Sequence, residues 1–309
     1  MKKVLFALFA VASLASCSNN EVIELNREQI AFGDTFVDNA TKADYSSGKP
    51  VEGFKVYGTV TALSTTTQIF NGANVTRGSK ADGEAWACDA TPQYWLPNAS
   101  YSFAAIVDGV AEYTEALPAT IKHTVADGEG NKDLLYATKT VTTNPSAVPT
   151  GVNTKGVVAF DFSHLLSKVQ FNIVNATNQK YQVTSITVTG VAEDGIYTVG
   201  KATPWAKDGS DTTTLTFGTA TVAGGATVVA GARQILPVEQ TLAVTINYNV
   251  LDGSNNVVGS LTKTGSIPAT TYAQNTVYDV IATLSGTAID FSLGTVRGWD
   301  TEDDNTLTL

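Results

Sequence analysis

Short runs of alternating or continuous apolar residues recur along the chain, separated by glycine, asparagine, aspartate and proline. The runs are rich in β-branched and aromatic side chains, which predicts β-strands. Asp-Gly pairs between them are typical of tight turns, and Asp252-Gly253 predicts a hairpin tip. No helical period persists beyond about two turns, so the pattern predicts an all-β protein made of β-sandwiches. The predicted strands are Gly53–Ala62, Tyr101–Val107, Thr120–Val125, Val157–Phe162, Lys168–Val174, Tyr181–Val191, Thr241–Val250, Thr276–Leu284 and Ile289–Val296.

A break between two strand-like runs near the middle of the chain predicts a domain boundary. The run Val157–Phe162 ends at Ser163–Ser167, and a second alternating run follows. We therefore expect one β-sandwich domain over residues 30–164 and another over residues 165–309. Within the first domain, the proline-containing stretch Thr140–Lys155 is predicted to be a loop.

Composition and charge agree with this fold class and narrow the function. The chain has 44 Thr and 33 Val against 20 Leu and one Met, and β-branched residues fit pleated sheets better than helices. A βαβ enzyme fold is therefore disfavoured. The net charge of −10 disfavours nucleic acid and anionic lipid headgroups as partners, because both bind basic surfaces.

The N-terminus reads as an export signal. Lys2 and Lys3 precede the largely apolar run Val4–Ala15. As a helix this run would span about 18 Å, too short for the roughly 30 Å hydrocarbon core of a membrane. We therefore expect residues 1–16 to be a signal peptide that is removed.

The residues that end this signal, Leu14-Ala15-Ser16-Cys17, resemble the lipobox of bacterial lipoproteins. The resemblance implies that Cys17 becomes an acylated N-terminus, with residues 17–29 as a tether. Several acyl chains would give stable anchoring. An ordinary signal peptidase site with an incidental cysteine is the alternative. With Cys17 acylated, Cys88 has no cysteine to pair with and is predicted to be a buried apolar residue.

A set of distinctive motifs is spread over most of the chain. They are Ile30-Ala31-Phe32, Thr41-Lys42-Ala43, Trp86, Tyr94-Trp95-Leu96-Pro97, Tyr101–Ala105, Asp133–Ala137, Phe160–Val169, Gln234–Pro237, Tyr278-Asp279-Val280 and Val296–Trp299. In their order and coverage they resemble the fimbrillin-like proteins of Bacteroidales. The resemblance implies two tandem transthyretin-like β-sandwich domains after a lipoprotein signal peptide. It also implies a location in fimbriae at the outer membrane and cell surface, assembly with other fimbrial subunits by strand exchange, and adhesion to a surface receptor or glycan, with no catalysis and no cofactor.

The resemblance also implies a first strand that is released by proteolysis and replaced by a strand from the next subunit. Ile30 and Phe32 alternate across this candidate displaceable strand. Lys42 follows it at the place where the family has arginine, and Arg27 precedes it. A cut after Lys42 would release the strand, but an arginine-specific protease could not make this cut, and a cut at Arg27 would leave the strand in place. Both basic residues are equally well explained as ordinary solvated side chains.

Two alternating segments close to the C-terminus are candidates for a donor strand. Ile289–Leu293 alternates well, and Thr306–Leu309 alternates beyond the acidic run Asp300–Asp304. A simple edge strand is the alternative for either segment.

Residues with catalytic or metal-binding potential are few. His164 follows a strand and is predicted to be a structural histidine bonding backbone carbonyls, and His123 an exposed strand residue. Neither has companions at ligand spacing, so no metal site is expected. Asp127–Asp133 places oxygen side chains at alternate positions but lacks glycine at the sixth position of a calcium loop, so a turn is favoured over calcium. No nucleophile–base pair indicates an enzyme.

The aromatic residues Trp86, Tyr94, Trp95 and Tyr101 lie close together in sequence. Exposed, they could stack on sugars, which would suit a monomeric glycan-binding surface lipoprotein. Buried, they would be core residues, which is the favoured interpretation. The exposure of Trp86 and Trp95 therefore separates the two functions.

Overall fold

The computed structural model describes residues 28–37, 52–81, 83–112, 117–285 and 288–299. These residues form β-strands and one short 3₁₀ turn, Gly128–Gly130, so the prediction of an all-β protein is confirmed. Across the same residues no helix is long and apolar enough to cross a membrane. The signal sequence, Cys17, Arg27, Lys42 and Thr306–Leu309 lie outside the described residues.

The described residues contain 21 strands. They are β1 Ala31–Val37, β2 Gly53–Ala62, β3 Thr65–Thr76, β4 Ala87–Cys88, β5 Ser100–Val107, β6 Val110–Glu112, β7 Thr120–Thr124, β8 Leu135–Thr143, β9 Pro149–Thr150, β10 Val157–His164, β11 Ser167–Asn175, β12 Lys180–Ala192, β13 Asp194–Thr198, β14 Trp205–Lys207, β15 Thr212–Phe217, β16 Ala220–Val222, β17 Thr227–Ile235, β18 Glu239–Leu251, β19 Val257–Thr271, β20 Thr276–Ser285 and β21 Ala288–Gly298.

All nine strands predicted from the sequence are present, and each predicted end lies within two residues of the observed end. The prediction of a loop over Thr140–Lys155 is wrong at its start, because β8 continues to Thr143 and pairs there with β9. The Thr143 hydroxyl donates to the Ala99 carbonyl at 3.3 Å and accepts the Ala99 N–H at 2.9 Å, so polar bonds hold this stretch in the sheet.

The first sheet has the order β1-β10-β8-β5-β2-β3-β4, with β9 paired to β8. Its buried side chains form one apolar cluster, drawn only from residues 30–162 and dominated by aromatic rings. Alternation along each strand sends one set of side chains into this cluster. The aromatic members are Phe32, Phe54, Phe70, Trp86, Trp95, Tyr101, Phe103, Phe160 and Phe162.

Two further sheets, β17-β11-β20-β21 and β15-β12-β18-β19, are built from the second half of the chain. Side chains from both sheets share a second apolar cluster, as in a β-sandwich. Phe171 on β11 and Phe217 on β15 meet edge to face across it, with centroids 4.7 Å apart. The pairing of β11 with β20 is parallel, and the pairing of β18 with β19 is an antiparallel hairpin closed at Asp252-Gly253, as the sequence predicts.

A fourth, small sheet joins the two halves of the chain. Its order is β14-β13-β7-β6, and β7 from the first half pairs antiparallel with β13 from the second half. The second apolar cluster also takes in Tyr57, Ile106, Ile121 and Leu134 from the first half. The two halves therefore share both a sheet and buried apolar surface.

Candidate functional site

The first strand, β1, lies at the end of the first sheet and pairs parallel with β10. Ala31 is aligned with Val157, and Val37 with Phe162, with one irregularity after Gly33. Parallel neighbours so far apart in sequence need a long connection, which here carries the whole of β2–β9. The register of β1 is therefore set by tertiary contacts.

Backbone bonds also hold the other side of β1, against the segment that precedes β5. The Ile30 N–H donates to the Gln93 carbonyl at 2.8 Å, and the Trp86 N–H donates to the Phe32 carbonyl at 2.8 Å. A side chain at Gly33 would place its Cβ 2.5 Å from the Glu84 carbonyl oxygen, so this close approach requires glycine. The strand is thus inserted between two neighbours.

Side chains of this strand fill an aromatic slot in the first cluster. Ile30 is 3% exposed and Phe32 is 1% exposed. The Phe32 ring lies edge to face with Phe70 at 5.1 Å and with Phe103 at 5.4 Å, and stacks on Phe160 at 6.1 Å. Aromatic pairs at these separations add to the stabilisation from burial. Without β1 the fold would keep an apolar slot and an unpaired edge of β10.

A shallow open cavity of about 510 Å³ runs beside the start of β1. Its lining includes two acidic and two basic residues, Glu28, Glu84, Lys80 and Lys155. Glu28 therefore lies at a polar, solvent-accessible flank, while the side chain of Ile30, two residues further on, is buried.

The sequence profile of fimbrillin-like proteins matches residues 41–299. The chain belongs to the fimbrillin-like family. The matched range begins after β1 and takes in all the remaining strands, β2–β21.

Solved structures share the fold over nearly the whole fimbrillin-like chain. A fimbrial protein from Bacteroides vulgatus ATCC 8482 has a TM-score of 0.62 at 18% identity, covering 89% of this chain and 100% of that one. A candidate cell adhesion protein from Bacteroides ovatus ATCC 8483 has a TM-score of 0.56 at 13% identity, covering 90% and 99%. A candidate cell adhesion protein from Bacteroides uniformis ATCC 8492 has a TM-score of 0.53 at 15% identity, covering 88% and 98%. No curated protein matches the chain.

The aromatic residues around Trp95 do not form an exposed platform in this fimbrillin-like protein. Trp86 is 7% exposed, and Trp95 and Tyr101 are fully buried, as predicted. The Tyr101 hydroxyl accepts the Leu96 N–H at 2.6 Å, which fixes the segment before β5. Tyr94 alone of the four is exposed. Sugar stacking on the two tryptophans is therefore blocked by the fold.

His164 is buried where the two halves of the chain meet, and one of its bonds goes to a side chain that the sequence did not predict. Its Nδ1 bonds to the Asp133 carboxylate, and both side chains are almost fully buried. The expected partner was a backbone carbonyl. Sequence analysis missed Asp133 because it lies 31 residues away, although it belongs to one of the recognised motifs.

His123 was expected to be exposed, and this prediction is wrong. The side chain is 7% exposed, and β7 lies inside the four-stranded sheet, between β6 and β13. Its Nδ1 lies 3.3 Å from the Asp108 carbonyl oxygen. Burial lowers the pKa of His123 below its ordinary value, which keeps the ring neutral.

The remaining candidates act as structural residues. Cys88 is half-buried and has a free thiol, and burial raises the pKa of this thiol, which disfavours the reactive thiolate. Burial opposes ionisation of Asp127, but N–H bonds from Thr216 and Gly128 outweigh it and lower the pKa of Asp127. Its carboxylate accepts the Thr216 backbone N–H at 2.8 Å. No cluster of three or more metal-ligating side chains occurs among the described residues.

Proposed function

We propose that this chain is a fimbrial structural or accessory subunit, exported as a lipoprotein to the outer membrane and assembled by strand exchange. In this proposal Cys17 carries the lipid, β1 is the strand that is released, and other fimbrial subunits are the partners. Adhesion to a surface receptor or glycan is the activity of the assembled fimbria. Family membership and the fold shared with a fimbrial protein support the general class.

The observation that carries the proposal is the contrast between the position of β1 and the burial of its side chains. The strand is the last in the order of its sheet, with two backbone bonds to the segment before β5 on its other side, yet Ile30 and Phe32 fill the aromatic core. Releasing it would leave backbone N–H and carbonyl groups of β10 unpaired beside an apolar slot. A strand with the same alternation of apolar residues would satisfy both, which is the physical basis of strand addition.

The position of β1 in the chain makes Lys42 the better processing site. β1 ends at Val37 and β2 begins at Gly53, so a cut after Lys42 falls between the two strands and frees β1 together with the lipid. A cut at Arg27 would separate the lipid but leave β1 attached. Only the first cut opens the slot.

The last described strand supports a role as donor. β21 pairs antiparallel with β20 at the end of its sheet. Ile289 and Phe291 are half-buried against the second cluster, while Leu293 and Val296 are 39% and 54% exposed. β21 is therefore held less deeply than β1, so it would exchange at lower cost.

We further propose that residues 30–164 and 165–309 form two transthyretin-like sandwich domains. The aromatic cluster drawn only from residues 30–162 supports the first unit. The small sheet shared by β7 and β13 would then be the interface between the two domains.

Strand exchange can be tested with a cleavable chain. Residues 38–42 are replaced by a site for a sequence-specific protease, and the cut protein is incubated with a fluorescent peptide of residues 28–37. We expect the peptide to replace β1 and to bind stably, as measured by comigration on size exclusion. A peptide with Phe32→Asp is the matched control and should not bind, because a carboxylate would enter the aromatic slot.

Two results would contradict the proposal. In one, the cut chain unfolds irreversibly and no peptide restores it. In the other, the wild-type and Phe32→Asp peptides bind equally.

A further inference from the structure

At one end of the first sheet three connections carry no charged residue although the protein is acidic, and Glu28 and Lys155 lie at the flank of this end, beside the start of β1. Three connections meet there: the turn between β2 and β3, the segment before β5, and the loop after β8. They lie in sequence runs without Asp, Glu, Lys or Arg, over residues 56–76, 90–107 and 140–154. The pairs Thr61–Ser100 and Ser100–Thr142 place the three connections side by side. We name this surface, residues 61–66, 94–100 and 142–150, the uncharged end.

The uncharged end presents apolar side chains that the fold does not use. Leu63 is 99% exposed, Val148 is 54% exposed and Tyr94 is 47% exposed. Isolated exposed apolar residues are common on protein surfaces and need no explanation. Here three such residues lie on adjacent connections that carry no charge.

The backbone at this end is held in conformations that its residues do not favour. Leu63 and Ser64 have φ of 49° and 65°, in a two-residue turn flanked by the pair Ala62–Thr65. Such turns favour Asn-Gly, and a bulky leucine with positive φ is unusual. Asn98 and Ala147 also have positive φ, so four of the seven such non-glycine residues in the described ranges lie here. Strain of this kind collects where a protein binds a partner.

The chain enters the fold at the same end. The Trp95 N–H donates to the Glu28 carbonyl, which places the start of the described chain beside the segment before β5. β1 and β10 then run in parallel away from this end, towards His164 and the second half. Cys17 is eleven residues before Glu28, a distance of at most about 40 Å when fully extended. A lipid at Cys17 would therefore keep this end within that distance of the bilayer.

We infer that the uncharged end is a membrane-facing surface on which the lipidated chain docks, with Leu63 inserted among the lipid headgroups. The inference rests on the proposed lipid attachment at Cys17. A lipid surface fits these three connections because they bring no charged side chain to be desolvated, while the acidic remainder would be repelled by an anionic leaflet. Leucine and tyrosine are suited to the interface, where apolar groups enter the acyl boundary and the hydroxyl stays hydrated.

The experiment uses the full lipidated chain with Cys88→Ser, reconstituted into vesicles of phosphatidylethanolamine and phosphatidylglycerol. An environment-sensitive fluorophore is attached to a cysteine placed at Ser64 or, as matched control, at Ser254. Ser254 is an exposed serine in the hairpin turn between β18 and β19, at the end of β18 furthest from the strands shared with the first half. We expect blue-shifted emission and quenching by a lipid-borne quencher at position 64 and neither effect at position 254. Adding Leu63→Asp should return position 64 to the aqueous spectrum.

The other outcomes separate this inference from the proposed function. If the chain floats with vesicles through Cys17 but position 64 stays aqueous, lipid attachment stands and the membrane-facing surface is wrong. If Cys17→Ala floats equally well, lipid attachment fails and the docking inference fails with it. A blue shift at position 64 that rises with protein concentration in the absence of vesicles would assign this end to contacts between copies of the chain, against the inference.

Discussion

His164 and Trp299 stack face to face, with ring centroids 4.2 Å apart and planes 8° from parallel. The contact joins the end of β10, in the middle of the chain, to the residue that follows β21. The Trp299 N–H donates to the Asn275 carbonyl, and the Asn275 N–H donates to the Leu166 carbonyl. The Lys168 ammonium lies 5.3 Å from the Trp299 ring centroid. The end of the described chain is thus fixed where the two halves meet.

Replacing Trp299 tests how much this contact stabilises the protein. Trp299→Ala removes a ring that is 2% exposed, so we expect it to lower the free energy of unfolding by about 3–5 kcal/mol. The control is Val296→Ala, at a residue of β21 that is 54% exposed, and it should change the free energy of unfolding by less than about 0.5 kcal/mol. Urea unfolding followed by circular dichroism measures both. Equal effects would mean that Trp299 is not part of the core.

Phe32→Ala tests the contribution of β1 to the first cluster. The Phe32 ring contacts three other phenylalanine rings and is 1% exposed, so we expect a loss of about 3–5 kcal/mol in urea unfolding. Ala31→Gly, at a half-buried residue next to it, should cost only about 1 kcal/mol through backbone entropy. If the two losses are similar, β1 is held by its backbone alone, and the slot would have little selectivity for an incoming strand.

The strands were predictable where apolar residues alternate or cluster, and not where threonine dominates. Gly53–Ala62 was located residue by residue. Leu135–Thr143 was partly assigned to a loop because prolines follow it, and Thr212–Phe217 and Thr65–Thr76 have few apolar residues. In these strands cross-strand pairing decides the conformation, and pairing with residues far away in sequence is not visible in a local pattern.

The candidate site was predictable only in part, for the same reason. Alternation located Ile30 and Phe32, and both are buried as one face of a strand requires. The parallel pairing depends on β10, more than 120 positions away, and the aromatic slot depends on Phe70, Phe103 and Phe160, of which the nearest is 38 positions from Phe32. His123 was misassigned because its neighbours in sequence look like an exposed strand, whereas the fold buries its side chain and brings its Nδ1 beside the Asp108 carbonyl.

Two tyrosines in contact offer a sharp test of hydrogen bonding in the second half. Tyr272 and Tyr278 lie edge to face at 4.8 Å, and burial raises the pKa of Tyr272 to about 12. The Tyr278 hydroxyl accepts the Ala273 N–H at 2.8 Å, whereas the buried Tyr272 hydroxyl has no partner among the described residues. We expect Tyr278→Phe to cost about 1–2 kcal/mol and Tyr272→Phe to be neutral or stabilising. Urea unfolding of both variants measures the difference, and the opposite order would contradict the assignment.

Leu63 should be unfavourable for folding, as expected of a residue retained for contact with a partner. Leu63→Asn places a residue that tolerates positive φ in the turn, and we expect it to stabilise the protein by about 1 kcal/mol. Leu63→Ala keeps the same conformational strain and should leave stability unchanged, because the leucine side chain is 99% exposed. Thermal unfolding compares the three chains. A loss of stability in both variants would mean that Leu63 packs against the fold, contrary to its exposure.

His123 should make stability depend on pH in the weakly acidic range. Its pKa in the folded chain lies below the value of 6.5 expected when unfolded, because burial disfavours the charged ring. Between these two values the unfolded chain binds a proton that the folded chain does not. The free energy of unfolding is therefore highest above about pH 6.5 and falls as pH decreases towards the pKa of the folded state. Urea unfolding at several pH values measures this slope.

The matched variant for this prediction is His123→Asn, whose amide can occupy the place of Nδ1 beside the Asp108 carbonyl without titrating. His164 is common to both chains, so its titration cancels in the difference between them. We expect the stability gap between His123→Asn and wild type to change in favour of the variant as pH falls below about 6.5. A gap independent of pH would show that His123 is accessible to protons in the folded state, and that β7 does not shield it.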